Sequence, residues 1–149
     1  MKSIFLSLVT FFILINASFA AESGTREEAT ALLDRAIALL QIDKNRALIQ
    51  FTSGDGGMIQ KDLYVFCFVS EGIITAHPAV IGLNIFNQDV TDVNGNPLGQ
   101  TMVSNARYGT ISEVVYKLRK YDTNSEQEYT KTTLYTRVSD QICGVGYYN

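Results

Sequence analysis

Few side chains in this 149-residue sequence are equipped for chemistry, and they are unevenly placed. The one histidine, His77, closes the stretch Gly72-Ile73-Ile74-Thr75-Ala76-His77-Pro78. The two cysteines, Cys67 and Cys143, each lie inside an apolar run. Zinc takes about three or four N/S ligands, and one His with two strand-borne Cys is a poor set. A Cys–His catalytic pair needs a thiolate in an electropositive, partly exposed setting; apolar strands argue instead for packing or a bridge. Asp92-Val93-Asn94-Gly95-Asn96-Pro97 looks like a calcium loop, but its sixth position, where an EF-hand needs Gly, is Pro97. It reads as a turn ahead of a helix. There is no P-loop, GxSxG or GxGxxG, and no paired carboxylates on one element. The residues point away from an enzyme and imply neither a metal nor a cofactor.

A different chemistry is open to Lys131, Thr133, Tyr135 and Arg137, which alternate along one predicted strand and so share a face. A cation and a phenol on such a face hold a small carboxylate by charge-assisted hydrogen bonds. The plainer reading is an exposed strand with ordinary basic residues. His77 also reads two ways, as a strand-end ring bonded to a backbone carbonyl or as a pocket wall. Of the eight tyrosines most are expected to pack, while a few turn their hydroxyls inward as polar handles.

The elements that position these residues follow from periodicity. Thr25-Arg26-Glu27-Glu28 has the form of a capping box. Behind it Ala29, Leu32, Leu33, Ala36, Ile37 and Leu40 recur at helical spacing, which predicts a helix to about Gln41. A shorter helix over Asp43–Phe51 is broken by Ser53-Gly54-Asp55-Gly56-Gly57. The pattern then turns to strands: Leu63–Val69, a turn at Glu71-Gly72, and Ile73–His77. Residues 78–109 form a long excursion with a short helix over Leu98–Ala106. Strands Thr110–Tyr121, Glu128–Val138 and Gln141–Tyr148 follow, joined by turns at Asp122–Ser125 and Ser139-Asp140. Short turns between successive strands favour an antiparallel sheet with the helix on one face, an α+β domain. Strand alternation puts Tyr64, Phe66 and Phe68 on one face and Val65, Cys67 and Val69 on the other. The aromatic face, set against Gly144 and Gly146, is where space for a cavity is expected.

Composition bounds the setting. Fifteen acidic residues against twelve Lys and Arg give a net charge of −3, and no basic run occurs. Nucleic acid and anionic membrane surfaces are therefore excluded as partners. The N-terminus runs Lys2, an apolar stretch from Ile4 to Ile15, then Ser18-Phe19-Ala20. That is the order of a secretory signal peptide over residues 1–20, cut after Ala20. It leaves residues 21–149 as one secreted or periplasmic domain, where an even cysteine count suggests a disulfide without proving one.

The order of motifs resembles that of single Cache domains, the PAS-like extracytoplasmic sensor modules. The residues that carry the resemblance are Tyr64-Val65-Phe66, Glu71-Gly72, Ala76-His77-Pro78, Gly82-Leu83-Asn84, Asp92 through Pro97, and Tyr135 followed by Gly144-x-Gly146-x-Tyr148. The similarity runs from Thr25 to Tyr148. It implies a long N-terminal helix packed on a five-stranded antiparallel sheet, with a long insertion between strands 2 and 3 closing over a small-ligand pocket. It further implies a non-enzymatic sensor that binds a small carboxylate or amine and acts with a separate membrane-bound signalling partner. In that frame Tyr64, Phe66, Tyr116 and Tyr135 form walls and handles, Lys131 pairs with an anion, and His77 sits at the rim. A rim histidine would make affinity depend on pH near its usual pKa of about 6.5. The PAS-like strand order also makes the first and last strands neighbours, which implies a Cys67–Cys143 bridge. The other reading is a protein-interaction module with a vestigial pocket, prompted by the absence of Trp and by "KLRKYDTNSEQEYTK" where the family often carries a Trp-rich hairpin.

Overall fold

The structure is a computed structural model that describes residues 22–119 and 126–149. The expected leader over residues 1–20 and the expected turn at Asp122–Ser125 lie outside the described residues. Helix α1 (Arg26–Ile42) starts on a closed capping box. Thr25 Oγ1 accepts the Glu28 amide at 3.2 Å, and the Glu28 carboxylate accepts the Thr25 amide at 2.9 Å. Asp43 ends α1 and caps α2 (Lys44–Ser53), its carboxylate accepting the Arg46 amide at 3.1 Å. Helix α2 stops at Gly54, whose φ of +82° is the left-handed region that glycine enters without a side-chain clash.

The strands are β1 (Ile59–Gln60), β2 (Leu63–Val69), β3 (Ile74–Ala76), β4 (Ser112–Arg119), β5 (Glu128–Val138) and β6 (Gln141–Tyr148), with helix α3 (Leu98–Asn105) between β3 and β4. They form one antiparallel sheet in the order β1-β2-β6-β5-β4, with β3 also on β2. The sixth strand, beyond the five expected, is the two-residue β1. It exists by pairing with β2, at Ile59↔Tyr64 and Gln60↔Leu63, and has no pattern of its own.

Alternation divides this sheet into two faces with separate cores. On one, Leu63, Val65, Leu134, Val138 and Val145 pack under Leu32, Leu33, Ala36 and Leu40 of α1 and Phe51 of α2. Cys67 and Cys143 lie here, directly opposite on β2 and β6 with Cα atoms 4.1 Å apart, and are disulfide-bonded. On the other face Phe68, Ile74, Val114, Tyr116, Tyr135 and Ile142 meet Leu98, Met102 and Ala106 from the segment between β3 and β4. That segment is pinned to the sheet at both ends. Ile74 and Leu83 are joined through backbone at 2.9 Å, and Val93 donates to the Val115 carbonyl at 2.9 Å.

Candidate functional site

A cavity of about 190 Å³ opens between the second face of the sheet and this covering segment. Its floor is Tyr64 and Phe66 from β2, Ile74 from β3, and Tyr116 and Leu118 from β4. Its roof is Val80, Ile85 and Val90, with Leu98 and Met102 from α3; His77 and Gln88 complete the lining. The walls are mostly apolar, as small-molecule sites are.

Behind the Tyr64 wall of the cavity, and outside its lining, lies Lys131 of β5. Lys131 is only 2% exposed although it carries an ammonium group. Its stem crosses β6 over Gly146, where a Cβ would sit 2.4 Å from Lys131 Cε. The Nζ donates to Tyr64 Oη at 3.2 Å. It also lies 4.7 Å from the Tyr64 ring centre and 4.8 Å from that of Tyr148. Lys131 forms no ion pair among the described residues, whose ion pairs lie elsewhere on the surface. The two glycines therefore do something other than leave open space. The room beside Gly146 is taken by Lys131 and Thr133, and that beside Gly144 by the Leu134 carbonyl, Thr133 and Tyr135.

His77 meets the Tyr64 ring edge-on at 4.9 Å between ring centres. Its Nδ1 accepts the amides of Ala79 and Val80 at 3.0 and 3.2 Å. The neutral ring therefore carries its proton on Nε2. Burial, and then the charge of Lys131, push the His77 pKa down to about 4. The expected titration near 6.5 is thereby corrected: in a half-buried position beside a cation the ring is neutral at neutral pH.

Tyr116 is buried, its hydroxyl sharing a hydrogen bond with Thr133 Oγ1 at 3.0 Å. Burial raises its pKa, so it stays a phenol. Tyr135 shares the face but is not in the cavity lining. It pairs with Ser112 across the sheet, and burial raises the pKa of its hydroxyl. Of the residues singled out from the sequence, the structure thus gathers Tyr64, Phe66, His77 and Tyr116 around the cavity with Lys131 against Tyr64, and sets Tyr135 aside. The calcium-like turn is satisfied internally. Asp92 Oδ1 accepts the amides of Asn94 and Asn96 at 2.8 and 2.9 Å, and hydrogen bonds from Asn96 are the main reason its pKa is lowered.

Sequence reasoning did not single out the roof residues or Tyr148. Val80, Ile85 and Val90 come from chain without periodicity, and Leu98 and Met102 from the expected short helix, whose inward face only the packed sheet defines. Tyr148 was legible only as a member of the Gly144–Gly146 face, since nothing local says that a lysine from the next strand ends over its ring.

No protein-family model matches the sequence, and no curated protein does. Solved structures do share the fold. A methyl-accepting chemotaxis protein from Vibrio parahaemolyticus RIMD 2210633 superposes with a TM-score of 0.61 at 19% identity, over 82% of this chain and 86% of that one. A periplasmic sensor domain of a chemotaxis protein gives 0.55 at 21% identity, over 82% and 88%. A Cache chemosensory domain described for its recognition of carboxylic acids gives 0.54 at 18% identity, over 82% and 86%. The architecture is that of a Cache domain: an α+β, PAS-like fold with helices behind an antiparallel sheet and a covered pocket in front. No helix among the described residues is long and apolar enough to cross a membrane.

Proposed function

We propose that this chain is a non-enzymatic sensory domain whose cavity binds a small monocarboxylate. One observation carries the reading: a buried ammonium with no carboxylate partner among the described residues is hydrogen-bonded to the hydroxyl of Tyr64, a wall of the mostly apolar cavity. An isolated buried charge is costly and favours acquiring a counter-ion. A ligand carboxylate at Lys131, with Tyr64 Oη and the Nε2–H of His77 within the same end of the site, supplies it. The short apolar body then lies against Phe66, Ile74 and Met102. A cavity this small suits about six heavy atoms. Amines are disfavoured, since a second cation would face Lys131 with no acid to hold it. An open cavity is what ligand binding requires, and a vestigial pocket would be filled by the protein's own side chains. The fold shared with chemotaxis sensors and the signal-like residues 1–20 support an extracytoplasmic setting and a membrane-bound partner that reads the bound state.

The test is calorimetric titration of the domain with propionate and butyrate, with propylamine as the control. The carboxylates are expected to bind and the amine not to. Lys131→Met should weaken propionate by about 10- to 100-fold, the worth of a hydrogen bond to a charged group. Because it removes a buried charge without its partner, the same change should leave the melting temperature unaltered or raise it. Propylamine binding as well as propionate, or full affinity in Lys131→Met, would overturn the assignment.

A further inference from the structure

A lysine is a poor fixed charge on its own, because its four-carbon stem is flexible and its head is strongly hydrated. In this molecule the head is dry and held, and the holding groups are not carboxylates. Tyr148 is the direct cross-strand partner of Lys131, and Tyr64 comes from β2 on the far side of β6. The Nζ lies at nearly equal distances, 4.7 and 4.8 Å, from the two ring centres. Between them Gly146 provides the only path for the stem: a Cβ there would meet Lys131 Cε at 2.4 Å and Thr133 Oγ1 at 2.7 Å. Tyr129 packs edge-on against Tyr148 at 6.2 Å and keeps that ring in place.

Aromatic faces attract a cation through their quadrupole without taking up its N–H groups. A carboxylate in the same place would both neutralise the charge and occupy the donors. We propose that Tyr148 and Gly146 are positioning residues: they hold the Lys131 ammonium between the Tyr148 ring and the Tyr64 hydroxyl, so that its charge and remaining N–H groups stand ready beside the cavity before a ligand arrives. The consequence for affinity rests on the carboxylate reading above; the positioning itself does not.

The experiment has two readouts for that reason. In ligand-free protein the Lys131 methylene protons nearest Nζ should resonate upfield, shifted by the ring current of Tyr148. Tyr148→Phe should keep this shift, and Tyr148→Leu and Gly146→Ala should each lose much of it. Propionate affinity should follow the same order. Tyr148→Phe should stay within about twofold of the wild type, while Tyr148→Leu should fall by about 3- to 30-fold, the range of a cation–π contact. Gly146→Ala, which pushes the Lys131 stem and Thr133 Oγ1 aside, reports on the Lys131 position should Tyr148→Leu fail to fold. Absence of the upfield shift in the wild type overturns the proposal, as does a Tyr148→Phe variant as weak as Tyr148→Leu. Retention of the shift pattern in a protein that binds no propionate would sink the carboxylate reading and leave the positioning role standing.

Discussion

The two faces of the sheet are made by the same strands, yet they are different materials. Behind the sheet the buried side chains are mostly Leu, Val, Ala and Phe, closed by a disulfide, and the two threonines among them, Thr132 and Thr136, have their hydroxyls hydrogen-bonded. In front, one residue along each strand, the set includes a lysine, phenols and a threonine hydroxyl. The first face can only add stability. The second holds a buried charge, hydroxyls and an open space, each of which costs stability. Alternation lets one short sequence make both: Cys67 lies behind and its neighbours Phe66 and Phe68 in front.

That division of labour can be broken in order of effect. Replacing both cysteines, Cys67→Ala with Cys143→Ala, opens a loop spanning 76 residues and should cost about 4 kcal/mol in denaturant unfolding. Propionate affinity in the folded fraction should be nearly unchanged; a loss under 1 kcal/mol would remove the disulfide from the stabilising side of the comparison. The front face should show instead in acid. His77 has a folded pKa of about 4 against an ordinary 6.5, so the unfolded state binds the extra proton between those values. Its contribution is therefore complete above pH 6.5 and lost as pH falls toward 4. The loss should be about 3 kcal/mol, and this part of the slope should be missing in His77→Gln. A wild-type slope equal to that of His77→Gln would show that the ring is as well solvated as in the unfolded chain. The smallest effect belongs to the start of the back layer. Thr25→Ala removes half of the capping box and should cost about 1 kcal/mol with no change in propionate affinity. A shift in affinity there would mean that the two faces are coupled.

What the sequence discloses follows the same division. The back layer is legible because its rules are local. A capping box, a 3.6-residue period and strand alternation place α1 and the inward residues of β2 and β6 without knowledge of the rest. Where pairing decides, local pattern is silent. Strand β1 has only two residues, and the 3₁₀ turn Ile85–Asn87 is set by Asn84 accepting the Phe86 amide at 2.8 Å. The front face was half legible. Tyr64, Phe66 and Tyr116 follow from alternation, and His77 from its place at the strand end. Tyr135 has the right face but sits opposite Ser112, four pairs along from the Lys131–Tyr116 pair, and register is a property of two strands together. The His77 pKa escapes local pattern for the same reason, since its burial, and then the cation beside it from a strand 54 positions away, are both set by tertiary packing.

The disulfide has a further consequence in the topology of the covalent chain. It ties position 67 to position 143, so the segment covering the cavity, together with β4 and β5, lies inside a closed ring. A single proteolytic cut anywhere between Phe68 and Ile142 makes two polypeptides but still one molecule. Nicked protein should therefore run as a single species until a reductant is added. Damage to the exposed cover then leaves the sheet and its helices joined.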